Sequence, residues 1–189
     1  MSKRPGGPFD TTKSKPVSGV RAVVLVGFMG AGKSSVGAAL SRRLGWPFED
    51  LDERIQARAQ RSIEQIFRQS GEAVFRKLEH EALRSLVGER QPSARVIALG
   101  GGAFAQADNA ALLEEAGWPT IFLDAPAEEL FRRCREQGLE RPLRGDAEEF
   151  HRLYESRRPC YLKAELRIET SGKDVEAVAV EAITRLGLR

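Results

Sequence analysis

"GFMGAGKSS" (residues 27–35) follows the apolar run "AVVLV" (22–26) and precedes "VGAALSRRL" (36–44), a helical pattern. Its spacing fits G-x-x-x-x-G-K-[ST], with Gly27, Gly32, Lys33 and Ser34 at the defining positions. The order is strand, phosphate-binding loop, helix. Glycines let backbone N–H groups close around phosphate oxygens. The helix that starts near Lys33 adds the positive end of its dipole. The loop residues Gly30, Ala31, Gly32, Lys33, Ser34 and Ser35 are therefore assigned to nucleotide phosphates, with Lys33 reaching the β- and γ-phosphates.

The Ser34 hydroxyl is the expected Mg²⁺ ligand, and such an ion also needs a carboxylate at the end of a neighbouring strand. Asp50, ending "WPFED", is the first choice, although an aspartate there also reads as a helix N-cap. Asp124 ends another strand and competes for the metal. It ranks lower because "DAP" reads as a simple turn into the next helix.

Outward from the loop, short apolar runs alternate with helical patterns. Strands are expected at 22–26, 47–50, 95–99, 120–124 and 165–169. The first, third and fourth are apolar without alternation, the pattern of strands buried on both faces of a parallel sheet. Helices are expected at 33–44, 109–116, 127–137, 147–162 and 175–186. Such alternation implies right-handed β-α-β units in a three-layer α/β/α domain with a five-stranded parallel sheet. Residues 52–90 break the rhythm with a long helical insertion. "SIEQ" (62–65) is a capping box there, and Gly71 opens a further helix.

The chain has 189 residues, enough for one domain with a real core. Residues 1–20 are rich in Gly, Pro, Ser and Lys, lack an apolar period, and read as a disordered leader before a single domain at 21–189. The net charge is +3, but five basic residues against Asp10 give residues 1–21 a net +4, so the remaining chain carries −1. A basic tail on a near-neutral body does not predict a nucleic-acid surface. No stretch approaches the ~18 apolar residues of a membrane span. Cys134 and Cys160 make no metal-ligand spacing and read as reduced thiols in the cytoplasm. His80 and His151 read as surface residues, and Trp46 and Trp118 as core.

Five further stretches exceed what a generic P-loop needs. They are "FEDLDERI" (48–55), "FRKLE" (75–79), "LGGGA" (99–103), "ERPL" (140–143) and "SRRPCY" (156–161). Together, in this order and at these separations, they make the chain from about residue 23 to 186 resemble shikimate kinase. The resemblance implies a small nucleoside-monophosphate-kinase-like fold. It implies transfer of the ATP γ-phosphate to the 3-hydroxyl of shikimate, in the chorismate pathway, by a monomer with one Mg²⁺. It assigns the shikimate carboxylate to Arg76 and Arg157, helped by backbone N–H groups of Gly100, Gly101 and Gly102. Arginine suits that role, because it donates two parallel hydrogen bonds to a carboxylate.

By the same resemblance Asp52 orients the attacking hydroxyl and is a candidate base. Arg141, in a lid expected at 137–146 between Gly138 and Gly145, comes onto the ATP phosphates. Two departures from the family pattern stand out: Ser35 where threonine is common, and Leu51 where a small polar residue is usual. Gluconate and nucleoside monophosphate kinases share the P-loop and are the alternative acceptors. Aminoshikimate is not separable by sequence. A non-enzymatic sensor would show a DNA-binding module or lost catalytic residues, and neither is seen.

Overall fold

The apolar run that precedes the P-loop becomes β1 (Ala22–Val26), every residue of which is buried. It lies at the centre of a five-stranded sheet in the computed structural model, which describes residues 19–90, 93–136 and 147–188. The other strands are β2 (Phe48–Asp50), β3 (Arg95–Ala98), β4 (Thr120–Asp124) and β5 (Leu166–Glu169). Their order is β2-β3-β1-β4-β5, and every pairing is parallel. The expected α/β architecture is therefore present. β3 and β4 are also buried along their full length, whereas the edge strand β5 alternates buried and exposed. Apolar runs without alternation thus marked the interior of the sheet.

Seven α-helices connect the strands among the described residues: α1 (Lys33–Leu44), α2 (Leu51–Ala59), α3 (Ile63–Gly88), α4 (Ala107–Glu115), α5 (Ala127–Glu136), α6 (Ala147–Tyr161) and α7 (Val175–Leu186). Helix α1 packs on α7, while α3 packs on α2 and α4. A 3-10 turn (Ala103–Ala105) joins α3, α4 and α6. Strand β1 stands between β3 and β4: the chain leaves β1 toward β2 on one side, and later crosses from β3 to β4 on the other. Crevices at such switch points are where open α/β sheets bind ligands.

The insertion after β2 forms as its capping signals indicate. Ser62 Oγ accepts from Gln65 N–H at 3.1 Å, and Gln65 Oε1 accepts from Ser62 N–H at 2.9 Å. Gly71, at φ 77° and ψ 171°, interrupts α3 and lets two helical segments meet at an angle. Helix α4 starts at Ala107, two residues before the expected start. Asn109 lies inside the first turn, where its buried side chain donates to Ala103 O at 2.9 Å. The expected lid, including Arg141, lies outside the described residues, as do residues 1–18 of the expected leader.

Helix α1 approaches the sheet edge closely at Gly37. A Cβ there would stand 2.2 Å from Phe48 Cε2. Replacing Gly37 with Val is expected to lower stability by about 1–3 kcal/mol through overpacking. Urea unfolding should show a lower midpoint at unchanged slope. An unchanged midpoint would mean that the Phe48 ring yields freely.

Candidate active site

The loop after β1 closes against α5. Gly30 has φ 78°, and a Cβ on it would stand 2.6 Å from Leu130 O, so both backbone sign and space demand glycine. Gly32 N-caps α1 at φ 86° with no side-chain cap, and no acidic residue occupies the first turn. The first N–H groups of α1 therefore meet no capping or acidic side chain, which is the electrostatic character of an anion site. Lys33 Nζ folds over the loop and donates to Gly27 O at 3.0 Å and Phe28 O at 2.9 Å. Cys134 is buried beneath the loop, its Sγ 2.9 Å from where a Gly30 Cβ would be.

Ser34 and Asp50 meet. Ser34 Oγ donates to Asp50 Oδ2 at 2.8 Å, while Asp50 Oδ1 accepts from Asp52 N–H at 2.9 Å and caps α2. The two readings of Asp50 are thus compatible, one for each carboxylate oxygen. A hydroxyl beside a carboxylate suits a hard divalent cation that keeps most of its waters and takes phosphate oxygens. No denser cluster of metal-ligating side chains exists among the described residues. Asp124, the competing choice, is already engaged. Its buried carboxylate accepts from Tyr154 OH at 2.8 Å, Arg158 Nη2 at 3.1 Å and Arg167 Nε at 2.8 Å. Burial, then the Asp124 charge and bond, push the Tyr154 phenol up to about 12.

Beside the P-loop, β3 runs into Gly100, Gly101 and Gly102, all buried. Side chains from three helices converge on this floor. A Cβ on Gly100 would stand 2.5 Å from Asp52 Oδ1 and 2.9 Å from Glu79 Oε1. One on Gly102 would stand 2.5 Å from Arg76 Nη1. A side chain at Gly100 or Gly102 would displace these groups. Arg76 donates to Glu79 Oε2 at 2.8 Å and to Glu72 Oε1 at 3.0 Å. Arg157, on α6, lies 5.8 Å from the centre of the Phe28 ring, and its charge acts on the phenol of Tyr161, whose hydroxyl donates to Gly101 O.

The electrostatics follow from burial. Desolvation pushes the Glu79 carboxyl up, Arg76 and Arg157 oppose this, and the Asp52 charge reinforces it. Burial works against the Arg76 cation, but Glu79 and Glu72 outweigh it and hold the guanidinium charged. Burial also pushes the Tyr161 phenol up, so it remains a donor.

The structure brings together Gly30, Ala31, Gly32, Lys33, Ser34, Ser35 and Asp50 at one turn. It gathers Asp52, Arg76, Arg157 and the three glycines at the next. Arg141 lies outside the described residues. Glu79 and Tyr161 stood inside the quoted motifs without a role, and their burial marks them. His80 is not a plain surface residue: its Nδ1 pairs with Asn109 Oδ1 at 2.8 Å. Gln106, which reaches Glu79, carried no sequence signal. Arg133, on α5, donates to Thr170 Oγ1 and to Thr170 O, both at 3.2 Å, and so ties α5 to the turn after β5.

Comparison with known proteins agrees with this geometry. The shikimate kinase family model matches residues 29–187. The shikimate kinase of Geobacter sulfurreducens is 47% identical over 167 residues, covering 87% of this chain and 90% of the relative. The Acinetobacter baumannii shikimate kinase, solved in complex with shikimate, superposes with a TM-score of 0.80 at 32% identity, over 88% of this chain and 92% of that one. The Aquifex aeolicus shikimate kinase gives a TM-score of 0.75 at 39% identity, over 88% and 96%. With a convergent site and a family match that spans most of its length, the chain belongs to the shikimate kinase family.

Proposed function

We infer that this chain transfers the γ-phosphoryl group of ATP to the 3-hydroxyl of shikimate, giving shikimate 3-phosphate and ADP. The reaction belongs to the chorismate pathway to aromatic amino acids. The observation that carries this reading is the pair of cations, Arg76 and Arg157, beside a glycine floor next to an uncapped P-loop helix. An anionic cyclic acceptor needs such a pair, and phosphoryl transfer needs it close to the phosphates.

The roles follow from position. The N–H groups of Gly30–Ser35 hold the ATP phosphates, and Lys33 exchanges its loop carbonyls for phosphate oxygens. Ser34 and Asp50 hold one Mg²⁺ per chain, which neutralises charge on the phosphate oxygens when bound. Asp52 receives the 3-hydroxyl in hydrogen-bond reach and aims it; it also serves as the base. Arg76 and Arg157 take the shikimate carboxylate, supported by N–H groups of the Gly100–Gly102 run. Arg141 is assigned to the phosphates on the family resemblance alone. One chain supplies all these residues, so a monomer suffices. We place the reaction in the cytoplasm; no described helix is long and apolar enough to cross a membrane.

The direct test is ADP release by purified protein with MgATP and shikimate, gluconate, AMP or no acceptor. Stimulation by shikimate alone, with product phosphorylated at the 3-hydroxyl, is expected. Stimulation by gluconate or AMP instead would keep the P-loop assignment and overturn the acceptor.

Two substitution sets divide the site. Lys33→Ala and Asp52→Asn should each lower kcat by about 10²–10³-fold or more, as loss of transition-state charge stabilisation or of hydroxyl positioning does. Near-normal turnover in either would remove that residue from its role. Arg76→Ala removes a charge-assisted contact of ~1.5–3 kcal/mol, so KM for shikimate should rise about 10- to 150-fold. KM for ATP should barely move; equal rises would undo the assignment.

A further inference from the structure

Glu79 is wholly buried, and a buried carboxylate is costly unless firmly partnered. Two donors grip its Oε2: Arg76 Nη1 at 2.8 Å and Gln106 Nε2 at 2.6 Å. Gln106 comes from a different element, 27 residues along the chain. It N-caps α4, yet its side chain makes no capping bond. Glutamine is not among the preferred N-cap residues, so the position is filled by a side chain used elsewhere.

The backbone of Gln106 is held on both sides. Its N–H donates to Ala103 O at 3.2 Å, and its carbonyl accepts from Asn109 and Ala110 N–H groups at 3.1 Å each. One turn on, Asn109 ties Ala103 O to His80, the neighbour of Glu79. The start of α4 therefore grips two consecutive residues of α3 and the turn after the glycine floor. Gln106 is the member of this grip that touches the Arg76–Glu79 pair.

We propose that Gln106 is a positioning residue for acceptor binding: its amide fixes the Glu79 carboxylate, which in turn holds the Arg76 guanidinium over Gly102. This rests on the acceptor reading given above. Without the amide, Glu79 loses one of two donors on the same oxygen, and Arg76 is free to follow Glu72, its more exposed partner. Gln106 itself does not touch the acceptor. The effect is therefore on the acceptor term and not on the phosphate end.

The test is steady-state kinetics with shikimate and MgATP on the full chain. Gln106→Ala should raise KM for shikimate about tenfold, as loss of an outer-shell partner does, with kcat and KM for ATP within about twofold. Gln106→Asn keeps an amide on the same backbone, and serves if the alanine variant does not fold. It should fall between wild type and Gln106→Ala.

Gln106→Glu supplies a readout that mere packing would not move. At low pH one proton shared between the two carboxyls replaces the amide donor; at high pH two carboxylates repel. KM for shikimate should then rise from about pH 6 to about pH 8 by several-fold more than in wild type. The charged and titratable groups facing Glu79 are Arg76 from α3, Asp52 from α2, and Arg157 from α6. Glu72 adds its charge through Arg76, and His80, next along α3, faces Asn109. They are common to wild type and variant, so the difference isolates position 106.

Wild-type KM for shikimate in Gln106→Ala, or equal rises in both KM values, would overturn the proposal. If wild type ignores shikimate, the acceptor reading itself fails. If wild type and Arg76→Ala behave as expected while Gln106→Ala matches wild type, the Gln106 proposal alone fails.

Discussion

The parallel pairing of β1 with β3 is the constraint from which the site follows. Leu25 is in register with Ala98, and Leu99 N–H donates to Leu25 O at 3.0 Å. Two residues beyond that register, Gly27 and Gly100 begin the two glycine-rich turns. They leave the sheet side by side, and a Cβ on Gly101 would stand 3.5 Å from Met29 N. Phosphate loop and acceptor floor are thus set against each other by backbone hydrogen bonds. Nothing soft separates the two reactants, which suits a reaction that depends on positioning.

Around that frame the acceptor end concentrates charge where burial makes charge expensive. Glu79 is buried and Arg76 is mostly buried, so neither is tolerable without the other. Their pairing has a second consequence. An arginine held by a buried carboxylate cannot sweep through solvent, so its fork is preorganised for an incoming anion. The contrast with Arg42 and Arg43 is useful. Both pair with Glu176 in the open, join α1 to α7, and contribute little because solvent screens them. The same residue types therefore carry different weight according to depth.

Depth is also what the sequence could not disclose. The ends of β1, β4, α1 and α7 were legible because apolar runs stop abruptly there. Glycines at 45 and 187 close α1 and α7 in the left-handed conformation. The P-loop was legible because its function requires fixed local spacing. The start of α4 was not, since the side chain of Asn109 in its first turn is committed to His80, 29 residues earlier. Contacts of this kind leave no period in the chain. The double use of Asp50, one oxygen for α2 and one toward Ser34, was open for the same reason: sequence offers a residue, not its two oxygens.

The neighbouring arginines of α6 show how a helix separates functions that adjacent letters suggest are shared. Successive residues leave a helix about 100° apart, and Arg157 and Arg158 take different partners here. Arg158 bonds Asp124 and the Tyr154 hydroxyl, while Arg157 stands over the Phe28 ring with its charge toward Tyr161, which is tied to Gly101 O. One arginine therefore anchors α6 to the end of β4, and the other faces the glycine floor. Both tyrosines stay protonated through the neutral range, because burial pushes each phenol upward. They act as hydrogen-bond donors and not as acids or bases. On the floor itself the proton-accepting groups from the helices are the carboxylates of Asp52 and Glu79. Glu79 already has one oxygen gripped by Arg76 and Gln106. Asp52 stands beside Gly100 with its backbone N–H held by Asp50, so its carboxylate has a fixed place at the edge of the floor.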